Sequence, residues 1–116
     1  MPTARFDAEA LIKEFGDEGL IAELAELLLA HVDEQLAAVH SAIAAGSGAG
    51  LKSAAHKIKG GMGTFGASAV TSLAMELEVI GRQGQLDGAD VLASRLDAEV
   101  RALCDQARLW LESRAA

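Results

Sequence analysis

Apolar residues recur along this chain at three- and four-residue spacing, and no stretch alternates as a strand would. The pattern predicts five helices. Asp7 caps a short first helix that stops at Gly16, and Asp17 caps a long second one running to about Ala45. Leu20, Leu24, Leu27, Leu28, Val32, Leu36, Val39 and Ile43 form the second helix's expected buried stripe. The run Gly46-Ser47-Gly48-Ala49-Gly50 breaks it. A third helix is predicted over about Leu51 to Thr64, with Gly66 as its breaker. The fourth covers about Ser68 to Arg82, stacks Val70, Leu73, Leu77 and Ile80, and ends in Gly81-Arg82-Gln83-Gly84. Asp87 or Asp90 opens the fifth, whose stripe is Leu92, Leu96, Val100, Leu103, Ala107 and Trp110. Short connections make sequential helices antiparallel neighbours. The expected fold is all-α: an up-down-up-down four-helix bundle, one domain over residues 1–116, with the first helix covering one end.

Composition agrees. The 116 residues are 51% hydrophobic, with one Pro, no Tyr and 3% aromatics. No apolar run approaches the roughly 18–20 residues of a membrane span. The first residues lack the basic start and apolar stretch of a signal peptide, and Cys104 has no partner for an internal disulfide. A soluble, cytoplasmic protein is expected.

Charge changes the picture by its placement. The net charge of −7 argues against nucleic acid as a partner. All 17 acids lie in Asp7–Glu34 or Glu76–Glu112, whereas the acid-free stretch from Gln35 to Met75 holds Lys52, Lys57 and Lys59. An acidic chain with one basic spot is suited to receive something anionic there.

The third helix sharpens this. Leu51, Ala54, Ala55, Ile58, Met62 and Phe65 fall within about 50° of one direction, which makes them the core-facing stripe. His56 points roughly 150° away, to solvent, with Lys52 and Lys59 one turn to either side. Gly60 and Gly63 lie on the same outer face. Glycine inside a helix costs about 1 kcal/mol relative to alanine, so glycines beside an exposed histidine call for a reason. They leave room for another protein's backbone. A neutral imidazole is a good nucleophile near neutral pH, and lysines neutralise phosphoryl oxygens, which suits attack on a bound phosphate. The competing reading is a surface histidine near a frayed helix end.

The run Ala55-His56-Lys57-Ile58-Lys59-Gly60-Gly61-Met62-Gly63-Thr64-Phe65-Gly66-Ala67 resembles the signature of histidine-containing phosphotransfer domains. There an accepting histidine is followed three residues later by lysine, then glycine, with a second glycine after an apolar position. Here these are His56, Lys59, Gly60 and Gly66. Leu77-Glu78, Gly81-Arg82-Gln83-Gly84, Phe6 and the Leu-rich second helix extend the likeness over essentially the whole chain. Lys57 stands at a variable position, Gly63 is not required by the pattern, and Met62 is bulkier than the small residue usual there.

The resemblance implies a four-helix bundle that shuttles a phosphoryl group between aspartyl-phosphate receiver domains through His56, without an ATP-binding part or kinase activity of its own. Lys59 would stabilise the phosphoryl group, Gly60 and Gly63 would admit the partner, and Lys52 and Lys57 would add positive potential. Receiver domains of hybrid histidine kinases and response regulators are the expected partners. The chain itself is expected to be monomeric and to bind no cofactor, the magnesium ion of transfer belonging to the receiver.

Other residues carry less. His31 lies within the second helix's stripe and is expected as a core or boundary residue, whereas His40 is expected at the surface. The three histidines lack the spacing of a zinc site, so no metal is expected. Cys104, flanked by Arg101 and Arg108, adjoins an apolar stripe and is read as packing rather than a reactive thiol. Trp110 is expected to anchor the last helix in the core. Two further function classes fit this sequence less well. A bundle that docks on receivers to sequester them has no need of a nucleophile. A kinase dimerisation segment usually places an acid directly after its histidine, where this chain has Lys57.

Overall fold

Local chemistry sets each helix boundary in the computed structural model, which describes residues 2–115. The Asp7 carboxylate accepts from the Ala10 N–H to start α1 (Ala8–Phe15), which ends on left-handed Gly16. Asp17 does the same for Leu20 at the head of α2 (Glu18–Ala44). Helix α3 (Gly48–Gly63) begins earlier than the glycine run suggested. The Ser47 hydroxyl accepts from the Gly50 N–H, so Gly48-Ala49-Gly50 form its first turn and the chain turns at Gly46, where φ is +66°. Gly66 and Gly84 bracket α4 (Ser68–Gln83), and Gly88 precedes α5 (Ala89–Ala115).

Helix α3 packs on α2 and α4, and α5 packs on the same two, so α3 and α5 sit diagonally across an up-down-up-down bundle. The short α1 lies against α2. The described residues contain no strand. Ile21, Leu51, Ile58, Leu77, Leu96 and Leu103 are fully enclosed between the helices, each contributing roughly 1.5–3 kcal/mol of hydrophobic stabilisation.

Three expectations need correction. Leu20 and Leu27 are 38% and 55% exposed. They point about 120–140° from the centre of the buried face of α2, where Ile21, Ala25 and Ala42 pack instead. His31 is exposed on that same flank, not in the core. Trp110 is only partly buried, its ring 5.5 Å from that of Phe6 and the Arg114 guanidinium 5.2 Å from its centre.

Two devices hold the frame. At the crossing of α3 and α4, Gly48 and Gly81 bring backbones together: a Cβ on Gly81 would stand 2.6 Å from the Gly48 carbonyl oxygen and from the Lys52 nitrogen. Residues 3–6 are strapped to α5, with the Glu99 carboxylate accepting from the Thr3 and Ala4 N–H groups (2.8 and 2.6 Å). Gln106 accepts from the Phe6 N–H and donates to the Ala4 carbonyl, both at 2.9 Å.

Candidate functional site

With Leu51, Ala55, Ile58 and Met62 buried, α3 turns His56 outward, its side chain 69% exposed. Beneath it lies a residue the sequence reading assigned no role. Glu78 of α4 is a buried carboxylate. Its Oε1 is 3.2 Å from Nδ1 of His56 and 2.9 Å from Nζ of Lys59, and its Oε2 is 3.2 Å from an Arg82 guanidinium nitrogen. Three cationic or proton-bearing groups therefore converge on one carboxylate, which satisfies its burial. The Lys59 hydrogen bond, aided by that from His56, holds the Glu78 carboxyl below the usual carboxylate range, although burial pushes the other way.

An ionised carboxylate only accepts hydrogen bonds, so Nδ1 of His56 carries the proton of that contact. In the neutral ring the lone pair is then on Nε2, which has no protein partner among the described residues. Glu78 thus selects which nitrogen is free to react.

Of the residues expected at the site, Lys59 is drawn in most tightly, half-buried and paired to Glu78 rather than loose in solvent. Lys52 borders a shallow depression with Ala49, Ser53, His56 and Glu78. Lys57 is exposed one residue further round the helix, and neither it nor Lys52 makes an ion pair among the described residues. Gly60, Gly61 and Gly63 have helical backbones, and a Cβ on any of them would meet open space. Their flank continues into a groove lined by Leu24, Leu27, His31, Gly61, Thr64 and Phe65.

The remaining candidates are apart from this cluster. His40 is on the surface, 2.7 Å from Asp97. Cys104 is buried, and burial pushes its thiol up to about 11. No three metal-ligating side chains gather among the described residues. No helix of the described residues is long and apolar enough to cross a membrane.

Glu78 and Arg82 left a faint trace in the sequence. Glu78 directly follows buried Leu77 and lies between small Ala74 and Gly81 on the helix's inner edge, with Arg82 one turn on. An acid there has to find cations, and the nearest are on α3.

Comparison with known proteins supplies the lineage. The family model described as "Hpt domain" matches residues 23–108. The fold superimposes on the crystal structure of histidine-containing phosphotransfer protein B (HptB) from Pseudomonas aeruginosa PAO1 with a TM-score of 0.80. That match has 25% sequence identity and covers 91% of this chain and 90% of the other. A search of curated proteins gives no match. With an exposed histidine on the third helix of such a bundle and the family model spanning most of its length, the chain belongs to the histidine-containing phosphotransfer (Hpt) domain family.

Proposed function

We propose that this protein carries a phosphoryl group on Nε2 of His56, taken from an aspartyl phosphate on one receiver domain and given to an aspartate on another. Membership of the Hpt family gives the coarser role, phosphotransfer in phosphorelays. The observation that carries the finer one is the His56–Glu78 contact, which leaves Nε2 outward with its lone pair free.

In the forward step the Nε2 lone pair attacks phosphorus, an N–P bond forms, and the P–O bond to the receiver's aspartate breaks. The aspartate leaves with the electron pair. The ring becomes a phosphoimidazolium whose Nδ1–H stays on Glu78, and the carboxylate offsets the new positive charge. Lys59 and Lys52 are placed to neutralise phosphoryl oxygens, Lys59 by exchanging Glu78 for the phosphoryl group. Lys57 adds to the local positive potential. Gly60 and Gly63 leave the approach bare, and exposed Leu27 extends it onto α2 as an apolar seat for the receiver. Magnesium would be held by the receiver partner. The chain acts as a carrier rather than a kinase, its partners being receiver domains of hybrid kinases and response regulators.

The test is transfer from radiolabelled receiver phosphates. Wild type acquires an acid-labile, base-stable label, and His56→Gln acquires none while keeping its circular dichroism and melting profile. A label that survives in His56→Gln overturns the assignment. Tight receiver binding without any label in wild type instead favours a sequestering module.

A further inference from the structure

The two oxygens of the buried Glu78 carboxylate are held differently. Oε1 is shared by two groups of α3, Nδ1 of His56 at 3.2 Å and Nζ of Lys59 at 2.9 Å. Oε2 accepts from Arg82 of α4, at 3.2 Å, and from no other side chain among the described residues. Arg82 is the fourth residue after Glu78 on the same helix, the order in which an acid and a base attract best. Its side chain is 58% exposed, so the pair contributes little to stability in its own right. Phosphotransfer asks more of it. The Lys59 hydrogen bond does most to hold the Glu78 carboxyl low, and Lys59 is the group that leaves for the phosphoryl oxygens. At that moment the His56 ring is still neutral, and Arg82 is the full cation left on the carboxylate.

We infer that Arg82 is a positioning residue for phosphotransfer, an inference that rests on His56 as the phosphoryl carrier. It anchors Oε2 so that Glu78 stays ionised and aimed at Nδ1 of His56 while Lys59 is away. Both Arg82 and Glu78 belong to α4, so their contact does not depend on where the side chains of α3 turn. A guanidinium suits the task, being planar and always charged. Without it, a buried carboxylate facing only a neutral ring takes up a proton from solvent. The resulting acid donates to Nδ1, and the ring's own proton moves to Nε2. The lone pair that attacks phosphorus is then lost.

Nitrogen-15 NMR of the full chain at about pH 8.5, where an ordinary histidine ring is neutral, reads the His56 tautomer directly. Transfer from a phosphorylated receiver domain reads its consequence. Lys59→Ala removes the departing lysine and should keep the Nδ1–H form, because Arg82 still holds Glu78. The double variant Lys59→Ala with Arg82→Ala should shift the ring to the Nε2–H form. Arg82→Ala alone keeps Lys59 at rest, so it should show the wild-type tautomer and melting profile yet transfer roughly tenfold more slowly. Arg82→Lys, which keeps the charge, should recover most of that rate. Should the double variant not fold, the rates of Arg82→Ala and Arg82→Lys decide alone. Arg82→Ala transferring at the wild-type rate overturns the inference, as does a folded double variant that keeps Nδ1–H. So does a Lys59→Ala variant that has already lost it. These outcomes leave His56 as carrier untouched, whereas a wild type that takes no label overturns both.

Discussion

Replacing Glu78 by glutamine keeps its shape and removes its charge. Because the folded state holds this carboxyl below its ordinary value of 4.5, its stabilising effect is complete above that pH and is lost as the pH falls through the lower folded value. The stability gap between wild type and Glu78→Gln, measured by urea unfolding, should be widest near neutrality and close as the pH drops below 4.5. A gap that is constant with pH would remove the charge from the account. Lys59 follows from the same contact. As a loose surface lysine it would cost almost nothing to remove, yet it is a partner of a buried acid. Lys59→Ala should therefore lower the melting temperature more than Lys57→Ala, as well as slowing transfer. The sequence could place His56 and Lys59 because both are set by the period of one helix. Glu78 escaped it because two of its three partners, His56 and Lys59, lie on another element.

Glycines in this bundle belong to two kinds, and substitution tells them apart. Gly60 is a helical residue with open space where its side chain would be, so Gly60→Ala should stabilise by about 0.5–1 kcal/mol in thermal unfolding. Gly60→Leu should fold as well but lose most transfer to receivers, because the new side chain stands where the partner must approach. Gly81 is the other kind. A methyl there meets the backbone of α3 at 2.6 Å, so Gly81→Ala should destabilise by about 1–3 kcal/mol. It should also impair transfer, since Glu78 lies less than one turn away and moves with α4. Equal melting temperatures for the two alanine variants would contradict this division. Helix count and order were legible because the apolar period and the capping residues act locally. The start of α3 was not, since one serine hydroxyl outweighed the glycines after it. Leu20 and Leu27 misled for a different reason, as spacing alone does not say which edge of a broad apolar face the neighbouring helices cover.

At the scale of the molecule, the strap that binds residues 3–6 to α5 is a long-range feature that no local pattern announces. Its donors and acceptor are more than 90 residues apart. Glu99→Ala deprives the Thr3 and Ala4 N–H groups of their acceptor and should cost about 1–3 kcal/mol in chemical unfolding. A loss no larger than that for an exposed acid such as Glu112→Ala would show that the strap contributes little. The strap also bears on the order of folding. His56 and Glu78 are only 22 residues apart, within the α3–α4 hairpin, so their contact closes a short loop. The strap cannot close until nearly the whole chain has been made and α5 is in place. Contacts of such separation form late, and a change there acts on the rate of leaving the native state rather than of reaching it. Glu99→Ala should accordingly unfold faster while refolding at almost the wild-type rate, with the reactive hairpin already assembled before the ends of the chain are tied together.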